Sequence, residues 1–142
     1  MPKTVQPEDP AWAELVERAW QARENAQILG RTKVGSCLAA LGGGYHAGCN
    51  VEQVFRSHDI HAEVNAIGTM VAAGHSRFDR LLIVAERDLF TPCGACMDWI
   101  MQFGGPTCLV GFQNRPGGEV RVFTAAELMP FYPLAKATSA DT

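Results

Sequence analysis

Two short motifs on either side of one apolar run constrain this chain more than anything else in it. His61-Ala62-Glu63 opens one helical pattern, Pro92-Cys93-Gly94-Ala95-Cys96 opens another, and the run from Leu81 to Ala85 lies between them. An unbroken apolar run of that length reads as a strand buried on both faces. Helix, buried strand and helix in succession let both helix starts meet at one edge of a sheet. Cys93 and Cys96 sit on the first turn of their helix, so both sulfurs leave one face. The positive ends of both helix dipoles then favour thiolate over thiol and hydroxide over water. His61, Cys93 and Cys96 are therefore the candidate ligands of a Zn2+ ion, and three protein donors leave the fourth tetrahedral position open, as a catalytic zinc requires. Glu63 stands beside them but outside the ligand set, as the candidate catalytic acid and base.

The rest of the chain supplies a frame for these motifs. Asp9-Pro10 is a helix start signal, and Leu15, Val16, Ala19, Trp20, Ala22, Arg23 and Ala26 recur at helical spacing, which predicts a first helix from about Pro10 to Ile28. Two strands follow, Val34 to Leu41 and Tyr45 to Asn50, joined by the turn Gly42-Gly43-Gly44. Glu52 to Asp59 is irregular, with Asp59 as the expected N-cap of the helix through HAEVNAIGTMVAAG. After the buried strand and the helix from Cys93 to Phe103 come strands over Thr107 to Phe112 and Glu119 to Phe123, with a turn at Asn114 to Gly118. Thr124-Ala125-Ala126-Glu127 is a capping box for a short last helix. The order describes an α/β fold, one mixed sheet with helices packed on its faces. A single domain over 10–134 is expected, with a disordered or loosely ordered segment at 1–9 and a flexible tail at 135–142.

Composition narrows the function classes. The net charge of −3 offers no basic field for a nucleic-acid polymer. No apolar stretch is long enough to cross a bilayer and no signal segment precedes the fold, so no membrane partner and a cytoplasmic setting are expected. The odd count of 5 cysteines points to metal or redox chemistry over a disulfide frame. A structural zinc or a dithiol redox module is the competing account of Cys93 and Cys96, and it would recruit His58, Cys37, Cys49 or Cys108 as a fourth ligand. Buried packing is the expected role of Cys37, Cys49 and Cys108, and a packing stripe that of Met97, Trp99, Met101 and Phe103.

Taken jointly, H-x-E, a strand and P-C-x-x-C are similar to the signature of the zinc deaminases. VGSCLAAL at 34–41, GCNVE at 48–52 and ELMP at 127–130 further resemble the small homotetrameric cytidine deaminases, together with the related blasticidin S deaminases. The resemblance implies a three-layer α-β-α fold on a mixed five-stranded sheet. It also implies hydrolytic removal of ammonia from C4 of a cytosine nucleoside, with Glu63 moving the protons, a place in pyrimidine salvage, and a homo-oligomer, tetramer or dimer. By the same resemblance Asn50 and Glu52 bind the ribose, the Ala62 backbone contacts the ring, Thr32 stands where the family places an aromatic wall, and Phe131 and Tyr132 stack on a base across a subunit boundary.

Departures from that family bear on the substrate. His61-Ala62-Glu63-Val64 replaces the usual Cys-Ala-Glu-Arg; imidazole for thiolate removes one negative charge and Val64 for Arg one positive, so the site stays balanced. Thr32 and Lys33 precede Val34, and Phe55, Arg56 and Ser57 follow the NVE motif, which leaves a modified or antibiotic cytosine compound as the alternative substrate. Asn65 resembles the deoxycytidylate branch.

Overall fold

The computed structural model describes residues 2–134. Its elements in chain order are β1 (Lys3–Val5), α1 (Ala13–Glu24), β2 (Gly35–Ala40), β3 (Tyr45–Cys49), a 3-10 turn (Arg56–His58), α2 (Ala62–Ala72), β4 (Phe78–Val84), α3 (Gly94–Phe103), β5 (Leu109–Gln113), β6 (Val120–Thr124) and α4 (Ala125–Leu128). The strands form one sheet in the order β1-β6-β5-β4-β2-β3. Only β4 and β5 run parallel, joined by α3 as the crossover helix; the other pairs are antiparallel.

Strand alternation divides the core into two layers. Leu38, Leu81, Ile83, Val110 and Phe112 face α2, α3 and α4, meeting Ile67, Met70, Met97 and Ile100. Cys37, Leu82, Val84, Val120 and Val122 face α1, meeting Trp12, Leu15 and Ala19. Helices on both faces of a mixed sheet are what the pattern predicts. β4 is buried on both sides because it lies inside the sheet, which is why its sequence shows no alternation.

Two close backbone approaches fix how the layers sit. A Cβ on Gly48 would lie 2.4 Å from the Ala66 nitrogen, so α2 rests directly on β3. Asn65 closes that contact, its Oδ1 accepting from the Cys49 N–H at 2.9 Å. On the other face a Cβ on Gly111 would meet the Trp12 ring at 2.7 Å.

Several expectations need correction. The sheet has six strands, not five, because Lys3–Val5 pairs along β6. Those residues therefore do not belong to a loosely ordered segment; they cover main-chain groups that β6 would otherwise leave as an open edge. The first helix is shorter than Pro10 to Ile28. Asp9 does cap its lead-in, its Oδ1 accepting from the Ala11 N–H at 2.9 Å. At the other end Gln27 pairs with the chain at Asn50 and Glu52, and those backbone bonds replace continuation of the helix. Trp99 stands apart from its stripe, 44% exposed and stacked on Phe103. The capping box at Thr124 forms as expected, with both reciprocal bonds present. The tail expected at 135–142 lies outside the described residues.

Candidate active site

α2 and α3 both begin at the carboxyl end of β4, where the sequence places its two motifs. His61 is the N-cap residue of α2 and Cys93 that of α3. Neither uses its side chain as a cap, which leaves imidazole and thiol free to face one another. Asp59, expected as the cap of α2, instead accepts from the Gln53 N–H at 2.8 Å and from Arg56 Nε at 2.9 Å.

The donor atoms of His61, Cys93 and Cys96 lie within 4.8 Å of one another, and among the described residues this group has three members. His61 Nδ1 is 3.3 Å from Cys96 Sγ and 3.5 Å from Cys93 Sγ. Zinc bonds of about 2.3 Å to sulfur and about 2.0–2.1 Å to nitrogen, meeting at a tetrahedral angle, need a nitrogen-to-sulfur edge of about 3.6 Å. The spacing fits the ion, and Nδ1 is the nitrogen that faces it. At Cys96 burial opposes the thiolate that the helix-start dipole was expected to favour. Burial first, then the Glu63 carboxylate and the Cys93 sulfur, push the Cys96 thiol above its usual range. A divalent cation supplies the positive charge that such a donor set lacks.

Glu63 sits on the first turn of α2, 4% exposed. Burial raises its carboxyl above the ordinary value, outweighing the opposing influence of its own backbone N–H, His61 and Cys96. A buried carboxyl that holds its proton more readily is suited to accept a proton and return it.

Beside these groups is a cavity of about 250 Å³, whose lining includes Thr32, Asn50, Glu52, Ala62, Glu63 and Phe90. That is just under the roughly 300–1,000 Å³ of drug-sized pockets, a volume for a small ring compound. Asn50 is built into its floor: Oδ1 accepts from the Val34 N–H and Nδ2 donates to the Thr32 carbonyl, both at 2.9 Å. One amide proton of Asn50 remains beyond these bonds. Glu52 Oε1 accepts from the Leu29 and Gly30 N–H groups at 2.6 and 2.7 Å, and Oε2 pairs with Arg56 at 3.3 Å. The Gly30 and Leu29 donors hold the Glu52 carboxyl below its usual value.

Of the residues singled out in the sequence, His61, Glu63, Cys93, Cys96, Asn50, Glu52, Ala62 and Thr32 are thus gathered at one edge of the sheet. Phe131 and Tyr132 are not part of the cavity lining. Phe131 is fully exposed, and Tyr132 packs on the layer of α2, α3 and α4. Burial pushes the Cys37 and Cys108 thiols up to about 12, consistent with packing roles. His46 lies in β3 with its ring 5.5 Å from that of His75, and neither lines the cavity. Sequence reasoning missed Phe90 and Ile60 as cavity walls; both lie in loops without periodicity, where no pattern announces which way a side chain turns.

Residues 11–112 match the family described as the cytidine and deoxycytidylate deaminase zinc-binding region. Over 118 residues the chain is 32% identical to a cytidine deaminase of Sporosarcina psychrophila, covering 82% of this chain and 86% of that one. The crystal structure of cytidine deaminase from Burkholderia pseudomallei superposes with a TM-score of 0.78 at 35% identity, covering 84% of this chain and 96% of that one. That of the Mycobacterium leprae cytidine deaminase does so at 0.74 and 29% identity, covering 86% and 99%.

Proposed function

Because this chain belongs to the cytidine and deoxycytidylate deaminase family, we propose that it hydrolyses the amino group from the cytosine ring of a nucleoside, releasing ammonia. It is an enzyme of a zinc hydrolase family, and zinc is the cofactor of the matched region. The observation that carries the proposal is the three-donor cluster of His61, Cys93 and Cys96 beside buried Glu63 and a small-ligand cavity.

In this proposal His61 Nδ1, Cys93 Sγ and Cys96 Sγ hold the ion. Zinc, when bound, lowers the pKa of its water toward about 7 and so supplies a nucleophile at neutral pH. Glu63, beside the three donors, would take a proton from the attacking water and deliver it to ring N3 as C4 accepts the oxygen. It would then take the proton of the hydroxyl formed at C4 and pass it to the amino group, so that C4 closes to a carbonyl, the C4–N bond breaks and neutral ammonia leaves. Asn50 and Glu52 offer an amide proton and a carboxylate to sugar hydroxyls, which would be costly to bury unpaired. The Ala62 backbone, in the same cavity lining as Glu63, is the proposed contact for the polar edge of the ring.

The cavity volume and the net charge of −3 favour a small nucleoside over a nucleic-acid polymer. No helix among the described residues is long and apolar enough to cross a membrane. A homo-oligomer, a cytoplasmic setting and a place in pyrimidine salvage belong to the same proposal. A second reading, a modified or antibiotic cytosine compound as substrate, is favoured by Thr32 and Arg56, both of which line the cavity.

An ammonia-release panel separates these readings. It would hold cytosine, cytidine, deoxycytidine, their monophosphates, guanine and blasticidin-type compounds, each with and without a zinc chelator. Chelator-sensitive turnover of cytidine or deoxycytidine is expected; turnover of a blasticidin-type compound alone supports the second reading, and no turnover of any compound contradicts both.

A further inference from the structure

The loop from β4 to α3, residues 85–93, is held to the cavity by side chains. Arg87 Nη1 donates to Thr32 Oγ1 at 2.8 Å. Glu86 pairs with Arg23 at 3.3 Å, and Arg23 Nε donates to the Lys33 carbonyl at 3.1 Å. Residues 86–87 are thereby tied to residues 32–33 by two independent routes. Beyond Arg87, Phe90 enters the cavity wall, half buried and packed on the layer of α2 and α3. Among the described lining residues it is the one with an apolar aromatic ring; the other ring is the His61 imidazole, whose Nδ1 faces the two cysteines. Thr32 lines the same cavity, and its hydroxyl accepts from Arg87.

A flat heteroaromatic ring gains most from a flat apolar face, and on these walls only Phe90 presents one. We propose that Phe90 is the surface on which the substrate's ring lies, and that Arg87 is a positioning residue, holding Phe90 in place through the Thr32 hydroxyl. Thr32 then serves the site by anchoring this loop, and its contact with substrate is secondary. This inference rests on the functional reading above, since it concerns the ring-binding part of the same cavity.

Steady-state kinetics with cytidine, read together with zinc content and melting temperature, tests it. Phe90→Leu keeps an apolar filler but removes the planar face, and Phe90→Ala removes both. For Phe90→Ala, KM is expected to rise about tenfold or more, with kcat within a few-fold and about one zinc per chain retained. Phe90→Leu should shift KM in the same direction at an unchanged melting temperature, and Phe90→Tyr should stay near wild type. Arg87→Ala and Thr32→Val should each raise KM about threefold, the double variant should be no worse than either, and Thr32→Ser should behave as wild type. A Phe90→Leu enzyme with wild-type KM overturns the wall, and additive effects of Arg87→Ala and Thr32→Val overturn the positioning role. If the wild-type chain turns over nothing in the panel, the functional reading falls and the wall falls with it. Turnover that ignores Phe90 sinks the wall alone.

Discussion

Replacing Gly48 by Ala adds one methyl group at the seat of α2, and its cost follows from the contact there. The new Cβ would lie 2.4 Å from the Ala66 nitrogen and 2.8 Å from Asn65 atoms. Ordinary contact needs about 3.5 Å, so α2 must retreat from β3 by about 1 Å. Main chain stands on both sides, and no side chain can turn aside to absorb the change. Overpacking of this kind destabilises by roughly 1–3 kcal/mol, or about 3–10 °C in melting temperature for a domain of this size. The bond from the Cys49 N–H to Asn65 would also lengthen. Since α2 carries His61 and Glu63 while β3 leads into Asn50 and Glu52, the shift separates the two halves of the site. A misplacement of about 1 Å can cost on the order of 100-fold in rate. Gly111→Ala is the control: its Cβ would strike the Trp12 ring at 2.7 Å, on the α1 face. Differential scanning calorimetry and kcat/KM on the folded enzyme should show both variants losing stability, with the large loss of turnover confined to Gly48→Ala. Wild-type turnover in Gly48→Ala, or an equal loss in Gly111→Ala, would refute this coupling of packing to site.

Glu63→Gln keeps shape and burial but cannot transfer protons; zinc content should be unchanged while kcat falls by about 10²–10⁴-fold, and ammonia release at the wild-type rate contradicts the assignment. The Glu52 carboxyl is held below its usual value by the Gly30 and Leu29 N–H groups and by Arg56. Its stabilisation is therefore complete above the unfolded value of about 4.3 and is lost as pH falls through the lower folded value. The denaturant midpoint of the wild type should exceed that of Glu52→Gln at about pH 6, with the gap closing towards about pH 3; a gap that widens in acid contradicts the network. Alkylation followed by mass spectrometry should modify exposed Cys93 once zinc is chelated, while Cys37 and Cys108, buried and raised to about 12, react only on unfolding.

The clustering of the candidate site was legible in the sequence because its residues are local to two helix starts. His61, Glu63, Cys93 and Cys96 needed only the strand between them to be brought together, and Leu81 to Ala85 announced that strand. The helices, the central strands and the Thr124 capping box followed from periodicity and turn chemistry for the same reason. What escaped depends on contacts distant along the chain. Lys3–Val5 is too short to carry a period and becomes a strand only because β6 offers it an edge. Asp59 has the composition of a cap but is drawn off by Gln53 and Arg56. Phe90 has no periodic neighbours, and its loop is tied back by Arg87, which reaches Thr32 across 55 positions. Gly48 and Asn65 fall in or beside motifs, but nothing in the sequence announces that they meet; that contact comes from the packing of α2 on β3.

A crystal structure of the zinc-loaded protein tests the central claim most directly. One ion is expected in contact with His61 Nδ1, Cys93 Sγ and Cys96 Sγ, with a solvent oxygen as its fourth neighbour facing the Glu63 carboxylate. A fourth protein side chain on the ion, or Glu63 turned away from the solvent ligand, would contradict it.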